Sequence, residues 1–317
     1  MAQTALNFLD AERFYDYTKK ELKFAQGLLC FQQQMNELTS LPKSNVTRTK
    51  NFFWKVYTLK VVILAGGFGT RIGEETQFIP KPMIEIGGEP ILWHIMKLYS
   101  YWGYNEFIIC GGYKQHIIKE FFAKYVLHHS DVTFDFRSEG TVKIHKNFSE
   151  PWQVTVINTG YNTLTAGRIK KIQPYTMGET FLLTYGDGLC TVNINELIKF
   201  HETHGKICTI TAVQPEGRFG AITLDDDKVL SFREKSKADV PFINGGYMVM
   251  RPEIFDYIEG NFMLEQEPFN KLIADDELRA YKYEGFWQCM DTVRDKRRLE
   301  SLWQTKSAPW KLWEDKI

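Results

Sequence analysis

Lys60-Val61-Val62-Ile63-Leu64-Ala65-Gly66-Gly67-Phe68-Gly69-Thr70-Arg71 decides how the chain is read. Residues 61–64 form a short apolar run, mostly β-branched, that passes directly into a glycine-rich loop, the pattern of a buried strand delivering a loop at its carboxyl end. Without Cβ atoms in the way, backbone N–H groups in such a loop approach phosphate oxygens closely. Two familiar phosphate loops do not fit. No Gly-Lys-Ser/Thr follows, as a P-loop requires. Gly67, Gly69 and Gly73 are spaced G-x-G-x-x-x-G, one residue off the dinucleotide fingerprint, and Lys81-Pro82 stands where a second strand would end in an acidic residue.

Working outward, Pro90 predicts the start of an amphipathic helix with Ile91, Ile95, Leu98 and Trp102 on one face. A buried strand at 107–110 follows, then a helix at 114–125 with Ile117, Ile118, Phe121, Phe122 and Tyr125 aligned. Strands are predicted at 132–137, 141–144, 152–158 and 181–184, the last ending in Tyr185-Gly186-Asp187-Gly188, with a helix at 165–172 between them. Beyond it come a helix at 194–204, strands at 207–213, 221–224, 229–232 and 247–250, helices at 252–258 and 268–274, a strand at 278–283 and a helix from Thr292. The alternation of strands and helices implies an α/β fold: a Rossmann-like mixed, centrally parallel β-sheet flanked by helices. Residues 1–58 differ in character. Apolar residues between 11 and 35 are loosely helical, 40–50 is a polar linker, and the aromatic run Phe52, Phe53, Trp54 and Tyr57 suggests packing onto the remainder, 59–317.

Length and composition bound the function classes. At 317 residues, with 44% hydrophobic and 15% aromatic content, the chain can bury a large core. Lysine plus arginine equals aspartate plus glutamate at 39 each, so no global field attracts nucleic acid or an anionic membrane, and any anion must be captured locally. Five scattered cysteines include no C-x-x-C pair and read as reduced thiols. No run approaches the roughly 20 apolar residues of a membrane span, and Asp10 and Glu12 interrupt any signal peptide, so a cytoplasmic protein is expected.

Leu64 to Arg71, with Lys81-Pro82-Met83 ten residues later, resembles the signature of the sugar nucleotidyltransferase family. The likeness runs from about Leu59 to the C-terminal helix. It recurs at Pro90-Ile91-Leu92-Trp93-His94, Tyr185-Gly186-Asp187-Gly188, Gly217-Arg218-Phe219-Gly220, Asn244-Gly245-Gly246 and Phe286-Trp287-Gln288 through Asp291-Thr292. Ile72-Gly73-Glu74-Glu75-Thr76 is similar to the cytidylyltransferase branch, where relatives using uridine or thymidine triphosphate carry a Leu-x-Pro-Leu-Thr type of sequence. Leu59-Lys60 resembles the Met-Lys with which relatives begin, so residues 1–58 are expected to be an extension upstream of the native start and 59–317 the catalytic domain.

The resemblance implies transfer of a cytidylyl group from CTP to glucose 1-phosphate, with Mg²⁺ as cofactor and a homo-oligomer as the working form. It places nucleotide contacts at Leu64, Ala65, Gly66, Gly67, Phe68, Gly69, Thr70, Arg71, Lys81, Thr163, Arg168 and Gly186. Asp187 and Asp291 would hold the metal, and Glu234, Lys235, Asn244 and Gly245 would contact the sugar phosphate. Arg71, Lys81, Asp187 and Lys235 are the expected catalytic residues. The chemistry suits these types: two phosphorylated anions must meet, so positioning and charge neutralisation dominate. A forked guanidinium binds two phosphate oxygens, assigning Arg71 to the β- and γ-phosphates, and an ammonium serves the α-phosphate as a point charge. One departure is Ser236, where the family usually has proline after Glu-Lys, which leaves that loop less fixed.

Plainer roles compete at several positions. Asp187 suits a simple turn, Lys235 a solvated charge, and Asp291 the cap of the helix from Thr292. His201 and His204 stand at i and i+3 without a third ligand and are expected to decorate a surface. A nucleotide-sugar-binding module without catalysis, or the same fold acting on UTP, dTTP or another sugar, are the alternatives; the former could have lost the cations and carboxylates that this chain retains.

Overall fold

β1 (Val61–Ala65) is buried at all five positions, as a strand covered on both faces must be. In this computed structural model the described residues are 59–72, 75–137, 140–215, 221–225, 228–233 and 241–314; the side chains of Arg71, Glu75, Val229 and residues 221–225 and 231–233 stand outside that description. All belong to a compact unit spanning Thr58–Ile317. The predicted helix and linker before residue 59 lie outside the described residues.

After β1 come 3₁₀ turns at Thr70–Ile72, Glu75–Gln77 and Lys81–Met83, the small pair β2 (Glu85–Ile86) and β3 (Glu89–Pro90), and helix α1 (Ile91–Tyr101). β4 (Glu106–Gly111), α2 (Gln115–His128), the hairpin β5 (Ser130–Asp135) and β6 (Thr141–Asn147), and β7 (Gln153–Asn158) follow. Then come α3 (Thr165–Lys171), α4 (Gln173–Thr176), β8 (Phe181–Tyr185), β9 (Gly188–Cys190), α5 (Ile194–His204) and β10 (Cys208–Val213). The last third holds the hairpin β11 (Ala221–Asp225) and β12 (Lys228–Arg233), β13 (Ile243–Met250), a 3₁₀ turn at Pro252–Tyr257, α6 (Glu267–Ala274), β14 (Leu278–Tyr283), β15 (Trp287–Cys289) and α7 (Val293–Gln304).

Seven strands form the central sheet in the order β14-β10-β13-β8-β1-β4-β7. β8, β1, β4 and β7 are mutually parallel, whereas β13 runs antiparallel to both β8 and β10, which gives the mixed sheet with a parallel centre. Val62, Leu64, Ile108 and Leu183 pack against Ala166, Ile169 and Ile172 at α3 and Phe255 of the 3₁₀ turn in one buried cluster. Each fully buried aliphatic side chain there contributes about 1.5–3 kcal/mol. In α1, Ile91, Ile95 and Leu98 are buried as the period predicts, and Trp102 sits at the C-cap. α2 buries only Ile118 and Tyr125 of its predicted apolar face, because it packs near the sheet edge at β7 and against the exposed hairpin β5–β6.

Two expectations are corrected. The cap of α7 is Thr292, not Asp291: the Thr292 hydroxyl accepts from Asp295 N–H while the Asp295 carboxylate accepts from Thr292 N–H, a reciprocal capping box. His201 does not decorate the surface; it is fully buried, with Nδ1 2.8 Å from the Thr209 hydroxyl, because that face of α5 packs onto β10. Cys110, Cys190 and Cys208 are buried free thiols, as expected, and burial pushes the Cys110 and Cys190 thiols up to about 12. No helix among the described residues is long and apolar enough to cross a membrane.

Candidate active site

The parallel strands β8, β1, β4 and β7 all release their loops at one end of the sheet, where open α/β sheets bind ligands. A cavity of about 360 Å³ lies there. Its wall includes Leu64, Ala65, Gly66, Gly67, Phe68, Gly69 and Thr70 from the loop after β1, Gly186 and Asp187 from the turn after β8, Thr163 and Arg168 from the segment after β7, and Lys81 and Asp291.

Asp187 and Asp291 meet through strands too short to carry a sequence pattern. β9 and β15 pair antiparallel with Cys289 opposite Gly188, and Met290 N–H donates to Asp187 O at 2.8 Å. That pairing brings Asp291 beside Asp187. Gly186 N–H donates to Leu64 O at 3.0 Å, and a Cβ at Gly186 would stand 2.9 Å from Pro82 Cγ, so only glycine lets the Asp187 turn seat against the Lys81-Pro82 turn.

Lys81 closes the group. Its Nζ donates to Asp187 Oδ2 and, at 2.6 Å, to Asp291 Oδ1. Burial works to lower the ammonium's pKa, but the facing Asp187 and Asp291 carboxylates outweigh it and hold it above its ordinary value. The lysine therefore stays charged. Two carboxylates converging on one cation form a hard-oxygen donor pair of the kind Mg²⁺ accepts when water and phosphate complete its shell. Among the described residues no three His, Cys, Asp or Glu side chains cluster as a metal site, so an ion here would depend on those other oxygens. Among the described residues no third such side chain joins His201 and His204.

Arg168 takes a different place from that of a phosphate clamp. It is buried, and its guanidinium donates to Gly66 O at 2.8 Å, Thr159 Oγ1 at 2.6 Å and Gly160 O at 2.8 Å. It thus ties together the loops after β1 and β7 from beneath. A Cβ at Gly66 would lie 2.2 Å from Arg168 Nη1, which explains a glycine at that point. Burial holds its pKa below the usual guanidinium value.

The expected sugar-phosphate residues are less gathered. Asn244 and Gly245 stand on β13 and are not among the residues lining the cavity. Gly245 O accepts from Trp287 Nε1 at 2.8 Å, and Asn244 Oδ1 accepts from Gly246 N–H at 2.9 Å. Among the described residues the Asn244 Nδ2 atom is buried without a hydrogen-bond partner, a donor left for something else to satisfy. The Arg71 backbone lies in the 3₁₀ turn Thr70–Ile72 that follows the glycine loop. Its side chain, Glu234 and Lys235 lie outside the described residues. Sequence reading missed Tyr185 and Glu265, which line the cavity and hydrogen-bond to each other. Glu265 comes from an irregular loop before α6 with no local signal, whereas Tyr185, one residue before Gly186-Asp187, was within reach of the motif.

Residues 60–310 match the family model described as nucleotidyl transferase. The chain belongs to the nucleotidyl transferase family. It is 52% identical over 258 residues to a protein of Salmonella typhi named glucose-1-phosphate cytidylyltransferase, covering 81% of this chain and 100% of that one. It is 45% identical to the probable glucose-1-phosphate cytidylyltransferase of Bacillus subtilis strain 168, covering 80% and 100%. Among solved structures, HddC from Yersinia pseudotuberculosis superposes with a TM-score of 0.56 at 23% identity, covering 78% of this chain and 100% of that chain, a likeness of fold. Membership of the nucleotidyl transferase family makes the chain an enzyme.

Proposed function

We propose that the chain transfers the cytidylyl group of CTP to α-D-glucose 1-phosphate, giving CDP-glucose and pyrophosphate. The observation that carries this reading is Lys81 held between Asp187 and Asp291 at the cavity closed by the glycine loop, in a chain similar over the full length of cytidylyltransferases. A phosphate oxygen of the sugar phosphate attacks the α-phosphorus of CTP, the bond to the β-phosphate oxygen breaks, and pyrophosphate leaves with the bonding electrons. The 66–70 backbone and Arg71 bind the β- and γ-phosphates, and Lys81 supplies positive charge to the α-phosphate. Lys235 binds the incoming phosphate, while Glu234, Asn244 and Gly245 contact sugar hydroxyls. Asp187 and Asp291 would hold Mg²⁺, which supplies charge stabilisation to the phosphate oxygens when bound.

Residues 59–317 are the catalytic domain in this reading, residues 1–58 an extension, and the working form a homo-oligomer. A nucleoside triphosphate donor fits the cytoplasmic address expected from the sequence. The test is pyrophosphate release by purified protein with Mg²⁺, glucose 1-phosphate and each of CTP, UTP and dTTP. CTP should be turned over at least tenfold faster, a ratio typical of a single base-reading contact. Equal rates with UTP would replace the base assignment, and no release with any triphosphate would end the reading.

A further inference from the structure

Three rings gather at the mouth of the active-site cavity, one from the loop after each of three successive parallel strands. Phe68 follows β1, Tyr113 follows β4 and Tyr161 follows β7. Phe68 meets Tyr113 at 5.4 Å between centroids and Tyr161 edge-on at 5.0 Å, and the two tyrosines are 5.8 Å apart. These are attractive ring geometries.

Phe68 is flanked by Gly67 and Gly69, the latter at φ +64°, so it is the side chain through which this glycine-rich segment can be pinned from outside. Tyr113 fastens the segment at several points. Its N–H donates to Gly66 O at 3.2 Å, its ring packs on Phe68, and its hydroxyl donates to Thr76 O at 3.1 Å. The Thr76 hydroxyl in turn donates to Gly69 O at 3.2 Å. Arg168 holds Gly66 from the buried side. The loop is therefore gripped from below by a guanidinium and from above by aromatic rings.

We infer that Phe68, Tyr113 and Tyr161 form a clasp that sets the 66–69 loop in its nucleotide-receiving shape before a nucleotide arrives, so that Tyr113 and Tyr161 are positioning residues acting through Phe68. A glycine-rich loop left loose would have to be ordered on binding, and the apparent affinity would fall by the fraction of molecules holding the competent shape. The clasp removes that loss. Its consequence for turnover rests on the nucleotidyl transfer proposed above; its consequence for the free loop does not.

The experiment compares the full chain with Phe68→Leu, Tyr161→Leu and Tyr161→Phe, by hydrogen exchange without substrate and by kinetics with CTP, Mg²⁺ and glucose 1-phosphate. Both leucine variants should exchange the 66–69 amides about threefold to tenfold faster, the range expected of one or two lost ring pairs. Exchange in β1 should stay unchanged, which separates a loosened loop from a damaged fold. The KM for CTP should rise by a similar factor, with kcat within about twofold and the KM for glucose 1-phosphate constant. Tyr161→Phe keeps the ring and should match the parent. Unchanged loop exchange in both leucine variants would overturn the clasp. So would unchanged exchange with a new order of preference among CTP, UTP and dTTP, because the rings would then read the base. If the parent itself released no pyrophosphate, the proposed function would fail while exchange still decided the clasp.

Discussion

Two polar clusters lie at opposite ends of the same sheet, and they have opposite fates. Lys81, Asp187 and Asp291 meet beyond the carboxyl end of β8, facing a cavity, with side chains 12%, 27% and 26% exposed. His201, His204 and Thr209 meet at the amino end of β10, which runs in the same direction as β8. Lys206 N–H donates to His204 Nδ1, so a neutral His204 carries its proton on Nε2, 2.7 Å from the Thr209 hydroxyl, which also lies 2.8 Å from His201 Nδ1. Among the described residues His201 Nε2 is buried without a hydrogen-bond partner. In the first cluster Lys81 keeps its charge because the Asp187 and Asp291 carboxylates face it beside an opening for ligand. In the second, burial disfavours the imidazolium, and Arg251 beside both rings adds to it, while Glu277 near His204 offsets only part. Chemistry belongs to the cluster whose unspent interactions point into a cavity.

The contrast breaks first at Asp187. Asp187→Asn should lower the rate of pyrophosphate release by about a hundredfold to a thousandfold while leaving thermal melting near that of the parent, since one charge-stabilising group is worth that much in a closed site. Activity within tenfold of the parent would return Asp187 to the role of a turn residue. Arg168→Ala should act on fold and site together. Gly160 O loses its guanidinium donor and Gly66 O keeps only the Tyr113 N–H, at about 1–3 kcal/mol for a group left unpaired, so denaturant unfolding should show a loss of about 1–3 kcal/mol with weaker CTP binding. Unchanged stability would mean that the guanidinium is not the brace.

The histidine end sharpens the contrast through pH. Burial, His204 and Arg251 push His201 down to about 3, and burial pushes His94 down to about 4 despite its hydrogen bond to Ile86 O. Both folded-state values lie below the ordinary value of 6.5, so the unfolded chain takes up protons first. Stability should therefore be lost as pH falls below about 6.5 and level off near 3 to 4, each histidine contributing about 1.4 kcal/mol per pH unit between those limits. His201→Leu should remove one histidine's share of that slope and leave turnover within about twofold at neutral pH. The smallest effect is expected at Thr292→Ala, which deletes the α7 cap and should cost about 1 kcal/mol in denaturant unfolding.

Much of the active end was legible because its parts are local. The buried run of β1, the glycines after it and the Asp187 turn each leave a short, contiguous mark. α5 also matched its predicted bounds, since Asn193 accepts from Asn195 and Glu196 N–H at one end and Gly205 takes a left-handed conformation at the other. What escaped reading is set by packing. β9 and β15 are three residues each, too short for periodicity, yet they bring Asp291 to Asp187. The inward turn of the Arg168 guanidinium and the burial of His201 depend on neighbours far along the chain. In a row of letters both residues look like surface charges.

The account rests on a single meeting point for triphosphate, sugar phosphate and cation, and a structure determined with CDP-glucose and Mg²⁺ tests it most directly. The prediction is a diphosphate lying between the 66–70 backbone and Lys81, with Asp187 and Asp291 both contacting the ion. A nucleotide bound outside this cavity, or an ion that touches neither carboxylate, would contradict it.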